Sequence, residues 1–380
     1  MNIGIDARWL GAQGAGRYIS NMFRELQDLD PVNRYFAYCT PDGTKVDFEN
    51  ERWEKKIFPE TPILGSLRLA LDPVWRRLDL FWATNQLLPM ACPRTVLKVL
   101  TVHDLVWKLY PETMGRENYL QYKKRFDQSV RRADRIVTGS DATRQSLAKT
   151  FGIPQKKISV LPYGVDPAFS PQEEASSARH IARKYGVSED YICTVGTIEP
   201  RKDHVTLVRA MKILRDRGRL AHQLVIAGGP GWKNDQVYAS VAACGLAEHD
   251  VKFVGKIAEE DLPRLYSGAA LFVYPSLYEG FGFPLLEAMA CGAPVVSSDA
   301  PAMPEVAGGA AIMVSCGQPA EFADAISRVL NDPALRQELI EKGRRRAQDF
   351  RWMAAAQGLL QIFEEARPNL ARRSAAQANS

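Results

Sequence analysis

Two carboxylates eight residues apart carry the strongest chemical signal in this chain. Glu279 and Glu287 lie in the run Pro275-Ser276-Leu277-Tyr278-Glu279-Gly280-Phe281-Gly282-Phe283-Pro284-Leu285-Leu286-Glu287-Ala288-Met289-Ala290. A strand-like stretch ends before the run, and a glycine-containing loop follows. Pro284 falls near the first position of a helix, where its missing N–H costs nothing. Glu287 lies about one turn into an otherwise apolar helix, and a carboxylate there needs a partner. The backbone N–H groups of Phe281, Gly282 and Phe283 would point at an anion placed before that helix.

Three further loops hold reactive types. Gly196-Thr197-Ile198-Glu199-Pro200-Arg201-Lys202-Asp203 places adjacent cations between a strand and a helix. Arg201 offers a planar fork and Lys202 a mobile point charge, which suits a phosphate or diphosphate. A solvated basic turn, with Asp203 capping the next helix, fits the same residues. His103-Asp104 follows a strand directly. A lone histidine is more often structural, and its place at a strand's carboxyl end is what marks it as a substrate contact. Gly11-Ala12-Gln13-Gly14-Ala15-Gly16 sits between the first strand and the first helix. It reads either as an anion-binding turn built on Gly14 and Gly16 or as a tight turn alone. Its spacing is GxxGxG, and no acidic residue ends the next strand, so a dinucleotide fingerprint is weak. The one Asp-x-Asp, Asp28-Leu29-Asp30, falls at a helix end before Pro31 and reads as a solvated terminus, not a metal site. The six cysteines form no CxxC pair and no cluster with histidine at metal spacing, so they read as free thiols.

The elements that must position these loops alternate. Strands are expected over 2–6, 35–39, 80–83, 96–102, 135–138 and 158–161, and again over 191–195, 222–227, 251–254, 270–274 and 294–297. Helical patterns separate them, at 17–29, 119–133, 204–217, 236–244, 259–266 and 284–290, with further helix over 320–330 and 334–365. Residues 162–178 are rich in proline and small polar residues and read as a linker. The expected fold is α/β: two doubly wound, Rossmann-like domains facing each other across a cleft, with ligands beyond the carboxyl ends of the strands. A length of 380 residues fits two domains, and the longest uncharged run, 306–320, is too short for a membrane span. The first ten residues lack a signal-peptide layout. The expectation is a cytoplasmic protein.

The run YEGFGFPLLEAMACGAPVVSSD, with Glu279-x7-Glu287 inside it, closely resembles the signature of retaining GT-B glycosyltransferases of family 4. The GTIEPRKD segment, the His-Asp pair and the glycine loop fall in that family's order, so the resemblance covers essentially the whole chain. It implies an acceptor-binding domain at 1–168, a nucleotide-sugar-binding domain at 169–350, and a last helix over 351–380, near Trp352, that crosses back onto the first domain. It implies that Glu287 holds the ribose hydroxyls and that Glu279 contacts the donor sugar. The Phe281–Phe283 backbone would meet the sugar and phosphate region. Arg201 and Lys202 would neutralise the diphosphate, with Gly14 and nearby N–H groups closing on the same phosphates. His103 would line the reaction centre, and the backbone around Val254 and Gly255 would meet the base. The Ser-Cys-Gly-Gln-Pro stretch after Val314 departs from the pattern of relatives, away from the loops expected to act.

The expected reaction moves a hexose, first GDP-mannose and otherwise a UDP-hexose, to a saccharide or lipid-linked saccharide in cell-surface glycan synthesis. No cofactor and no metal are expected. A nucleotide-sugar epimerase of the same architecture is the third reading; it would need acid/base residues around the sugar, for which His103 is the evident one. The cation excess points to partners too. Residues 1–170 carry 25 Lys+Arg against 19 Asp+Glu, whereas 171–380 carry 24 against 25. The stretch 119–135 holds Lys123, Lys124, Arg125, Arg131, Arg132 and Arg135, and 67–82 adds Arg68, Arg76 and Arg77. Basic residues among apolar ones can dock on anionic headgroups, so peripheral contact with the inner membrane face is expected as an alternative to a solvated helix face. No nucleic acid is expected.

Overall fold

The computed structural model describes residues 1–11, 13–40, 48, 50–57, 75–90, 92–219 and 221–378. The chain forms two compact units. The first comprises 1–105, 117–164 and 351–380; the second comprises 106–116 and 165–350.

The first unit is built on seven parallel strands: β1 (Asn2–Asp6), β2 (Arg34–Cys39), β3 (Trp53–Ile57), β4 (Leu80–Ala83), β5 (Leu97–Thr101), β6 (Arg135–Thr138) and β7 (Ile158–Val160). Their order is β3-β2-β1-β4-β5-β6-β7. β4 and β5 are buried along their whole length, as a parallel sheet covered on both faces requires. β3 has no expected counterpart. Its sequence, Trp-Glu-Lys-Lys-Ile, is that of an edge strand, where charge keeps unpaired backbone from pairing elsewhere. The first helix begins at Gln13 (Gln13–Leu29), so Gly14 and Gly16 belong to its first turn and not to a loop before it. The helix Trp352–Ala378 packs on Gln13–Leu29, with the Trp352 ring 6.1 Å from that of Tyr18, while Phe363 sets its ring 6.2 Å from Trp82; Ala355, Ala356 and Leu359 are buried.

The second unit has six parallel strands: β8 (Tyr191–Val195), β9 (Gln223–Ala227), β10 (Val251–Gly255), β11 (Leu271–Tyr274), β12 (Val295–Ser298) and β13 (Ile312–Val314), in the order β10-β9-β8-β11-β12-β13. Leu207 and Met211 of helix His204–Asp216, with Phe322 and Ile326 of helix Pro319–Asn331, cover Leu224, Val273 and Val296 from the sheet.

Three expectations need correction. The single helix over 334–365 is two, Pro333–Ala347 and Trp352–Ala378, and the break falls where the chain passes from the second unit to the first. Residues 106–116, expected within the first domain, belong to the second unit: the Trp232 indole donates to the Thr113 carbonyl and Lys233 to that of Glu112 at 2.7 Å. Asp30 is not solvated. It is 4% exposed and accepts from the N–H groups of Val32 and Asn33, from the Asn33 amide and from the Tyr35 hydroxyl. Those four donors make it the anchor of a tight turn.

Strand order reverses once in each sheet, between β1 and β4 and between β8 and β11. A doubly wound sheet opens a crevice at that point, beyond the carboxyl ends of its strands.

Candidate functional site

In the second unit, the loops after β8 and β11 meet at the reversal. Arg201 and Lys202 come from the first loop and Glu279 from the second. Glu279 Oε1 accepts from Arg201 at 2.8 Å and from Lys202 at 2.7 Å. Arg201 also reaches Glu199 at 2.6 Å and the Tyr278 carbonyl at 3.0 Å. Lys202 donates to the Tyr274 hydroxyl at 2.7 Å, the last residue of β11. The loops are joined by the Leu277 N–H, which donates to the Arg201 carbonyl at 2.8 Å. Two cations therefore face two carboxylates, with Lys202, Glu199 and Glu279 all under a tenth exposed.

Charge state follows from this packing. Burial pushes the Glu279 carboxyl up, but Arg201 and Lys202 outweigh burial and bring it down to about 2. Glu199 ends above its ordinary value because burial exceeds the pull of Arg201 and Lys202. Burial lowers Lys202, with Glu279 opposing. Glu279 is thus an ionised hub that holds both cations in place.

Gly282 precedes the helix Phe283–Ala290 in the left-handed region, at φ 97°, and a Cβ there would lie 2.4 Å from the Met303 methyl. Only glycine turns the chain there, and the turn delivers the Phe281–Phe283 backbone to the head of that helix. Glu287, one turn in, is 3% exposed and accepts from the Tyr266 hydroxyl at 3.1 Å. Val254 and Gly255 end β10, where the Gly255 carbonyl accepts from Gly228 N–H at 2.8 Å. Asp203 caps helix His204–Asp216 through the Thr206 N–H. Capping and a cation cluster therefore coexist in one loop.

In the first unit, His103 also reaches the reversal point. One ring nitrogen, Nε2, lies 3.0 Å from the Thr84 carbonyl just after β4; the other, Nδ1, lies 2.7 Å from the Tyr163 hydroxyl. A carbonyl only accepts, so Nε2 carries the hydrogen and Nδ1 accepts from Tyr163. Burial lowers the His103 pKa. The imidazole is held neutral by burial, with both its nitrogens engaged. Tyr18 lies edge-on at 5.1 Å and completes an aromatic wall. Asp6, at the end of β1, holds Arg8 bidentately at 2.8 and 2.7 Å. Gly16 is buried, and a Cβ there would lie 2.3 Å from the Leu10 carbonyl oxygen, whereas Gly14 is exposed and meets nothing within 4 Å. The two glycines do different work: one permits close backbone approach, the other leaves the helix start open.

The basic stretch is less free than its composition suggests. Arg125 donates to the Leu88 carbonyl, Arg132 to that of Cys92, and Arg135 to that of Lys156 and to Glu365. Lys123, Lys124 and Arg131 are exposed on helix Arg116–Arg132. Arg68 and most of 40–74 lie outside the described residues, as does the side chain of Arg76. No helix among the described residues is long and apolar enough to cross a membrane.

Sequence reasoning missed Glu199 and Tyr274 as members of the ionic cluster. Glu199 was legible as a carboxylate two residues before Arg201. Tyr274 gave no signal, since an aromatic residue ending a buried strand reads as core.

Comparison with known proteins places these loops in a family. A sequence model described as "Glycosyl transferases group 1" matches residues 179–346, and one described as "Glycosyltransferase Family 4" matches 12–169. O-antigen chain mannosyltransferase B of Escherichia coli is 32% identical over 255 residues, 67% of this chain and 66% of that protein. D-inositol 3-phosphate glycosyltransferase of Salinispora arenicola is 33% identical over 257 residues, 63% of this chain and 56% of that protein. The match spans less than two thirds of either relative. The crystal structure of Anabaena HepE in complex with UDP superposes with a TM-score of 0.73 at 19% identity, over 96% of this chain and 99% of that one. The two sequence models between them take in the reversal-point loops of both units, and the chain belongs to the family 4 glycosyltransferases of the GT-B fold.

Proposed function

We propose that this chain transfers a hexose from a nucleotide-sugar to a hydroxyl of a saccharide or lipid-linked saccharide in cell-surface glycan synthesis, with retention at the anomeric carbon and without a metal ion. The observation that carries the reading is the Arg201–Glu279–Lys202 cluster at the strand-order reversal of the second unit, in a chain of this family. The donor's diphosphate would be met by Arg201, Lys202 and backbone N–H groups at Phe281–Phe283. Glu287 would take the ribose, the Val254–Gly255 backbone the base, and Glu279 the sugar hydroxyls.

Breaking the bond from the anomeric carbon to the diphosphate leaves the electron pair on the departing oxygen. Arg201 and Lys202 stabilise that charge as it develops, and removing one such donor costs about 10²–10³ in rate. The acceptor hydroxyl attacks from the same face, and its proton passes to the departing phosphate oxygen. Glu279, ionised and held by two cations, suits electrostatic positioning better than covalent attack. Isolation of a glycosyl-enzyme at Glu279 would overturn that assignment. Engaged on both nitrogens, His103 would shape the reaction centre as a neutral hydrogen-bonding wall.

GDP-mannose is the first donor, in line with the mannosyltransferase named above, and UDP-hexoses follow. A thermal-shift and turnover screen over GDP-mannose and UDP-hexoses, with and without a chelator, tests the reading. The expected result is the larger shift with GDP, glycosyl transfer as the product, and full rate in chelator. A larger shift with UDP removes mannose, a free isomerised nucleotide-sugar restores the epimerase, and loss of rate in chelator demands a metal. Contact with an anionic inner-membrane surface would rest on Lys123, Lys124 and Arg131.

A further inference from the structure

Residues 106–116 form a strap across the second unit. It consists of a short helix, Val106–Leu109, and a tight turn, Pro111–Thr113. Its far end is tied by Trp232, whose indole donates to the Thr113 carbonyl and whose ring lies against Gly115, and by Lys233, which donates to the Glu112 carbonyl at 2.7 Å. Lys233 is held at φ 54°, a conformation that a lysine adopts only against a cost, and such positions persist where the surroundings fix them. Midway along the strap, Tyr110 sets its ring 5.2 Å from that of Tyr278, at an interplanar angle of 31°.

Tyr278 is where this contact meets the chemistry. It is 1% exposed, its carbonyl accepts from Arg201 at 3.0 Å, and its peptide leads directly into Glu279. Arg201 is thus held at Glu199, at Glu279 and at the Tyr278 carbonyl. The first two are side chains on flexible stems, and the third is backbone, whose direction depends on what holds the Tyr278 ring. We propose that Tyr110, secured by Trp232, is a positioning residue for the Arg201–Glu279 pair, acting through the Tyr278 peptide. This rests on the function proposed above for the effect on rate, and on packing alone for the effect on the loop. Charge stabilisation at a leaving group demands donors fixed before the bond breaks, so loosening Tyr278 should depress turnover more than donor affinity.

Three variants of the full chain test this: Tyr110→Ala, Tyr110→Phe and Trp232→Phe. Amide hydrogen exchange of residues 275–282 is read beside kcat and KM for the best nucleotide-sugar donor. Tyr110→Ala and Trp232→Phe are expected to speed exchange in 275–282 and to lower kcat by about tenfold with KM within about threefold. Tyr110→Phe, which keeps the ring, restores both. Unchanged loop exchange in Tyr110→Ala overturns the proposal, and so does a fall in kcat that Tyr110→Phe fails to rescue. If the wild-type chain turns over no nucleotide-sugar, the functional reading fails on its own, and the exchange result still decides whether the strap fixes the loop.

Discussion

The two units share a topology and put opposite chemistry at the same place in it. Where β8 and β11 part, the loops bring together Arg201, Lys202, Glu199 and Glu279, all largely buried and all charged. Where β1 and β4 part, a neutral His103 is hydrogen-bonded on both sides, walled by Tyr18 and Tyr163, with the Asp6–Arg8 pair compensating itself nearby. The reversal point fixes where a ligand can enter, and the residues set there decide what sort. An ionic cluster suits a group whose charge grows during reaction; uncharged donors and rings suit hydroxyls.

The largest expected break of this contrast is Lys202→Met. It leaves two buried carboxylates facing Arg201 alone, and it should lower turnover by about 10²–10³ and unfolding free energy by about 3–5 kcal/mol. His103→Gln, read in the same turnover and urea-unfolding assays, should cost about tenfold or less and about 1 kcal/mol, the scale of a neutral hydrogen bond. Equal losses would erase the distinction between the two centres. Next is the glycine pair: Gly16→Ala should destabilise by about 1–3 kcal/mol through the Leu10 carbonyl, and Gly14→Ala by less than about 0.5 kcal/mol. A neutral Gly16→Ala would mean that the first turn does not need that close approach.

Acidity bears on both centres. Burial, then Lys202, lowers the His204 pKa from 6.5 to about 3, so its unfolded form takes up a proton first. Stability from His204 is complete above about pH 6.5 and is lost as pH falls toward 3, and burial of His103 acts in the same direction. Glu279 adds a second loss, from about 4.5 down to about 2. His204→Phe should flatten unfolding free energy between pH 6.5 and 4.5, and an unaltered slope would refute the assignment. The smallest effect belongs to the surface: charge reversal at Lys123, Lys124 and Arg131 should leave stability within about 0.5 kcal/mol. It should abolish any sedimentation with anionic liposomes at low salt; sedimentation that survives would place the contact elsewhere.

Much of this was legible in the residues. Apolar runs of four to six flanked by glycine and polar turns give the strands of both sheets except β3 and β13, and Glu279, Arg201 and Lys202 announced themselves as charges at strand-to-helix transitions. What escaped was what depends on partners distant in sequence. Trp-Glu-Lys-Lys-Ile is a strand because β2 pairs with it, not because it is apolar. The strap follows the second unit because Trp232, more than a hundred residues later, receives it. Asp30 is the exception: its four donors lie within five residues of it, and the local turn reads in sequence as a solvated terminus.

The return of helix Trp352–Ala378 to the first unit has a consequence for synthesis. The second unit is complete once residue 350 has emerged, whereas the sheet that opens the chain waits for its last cover. Until Trp352 and Phe363 arrive, the face they cover around Tyr18 and Trp82 is open to water. On a ribosome adding about 5–20 residues each second, the part made first is finished last, and a nascent chain exposes that apolar face for many seconds.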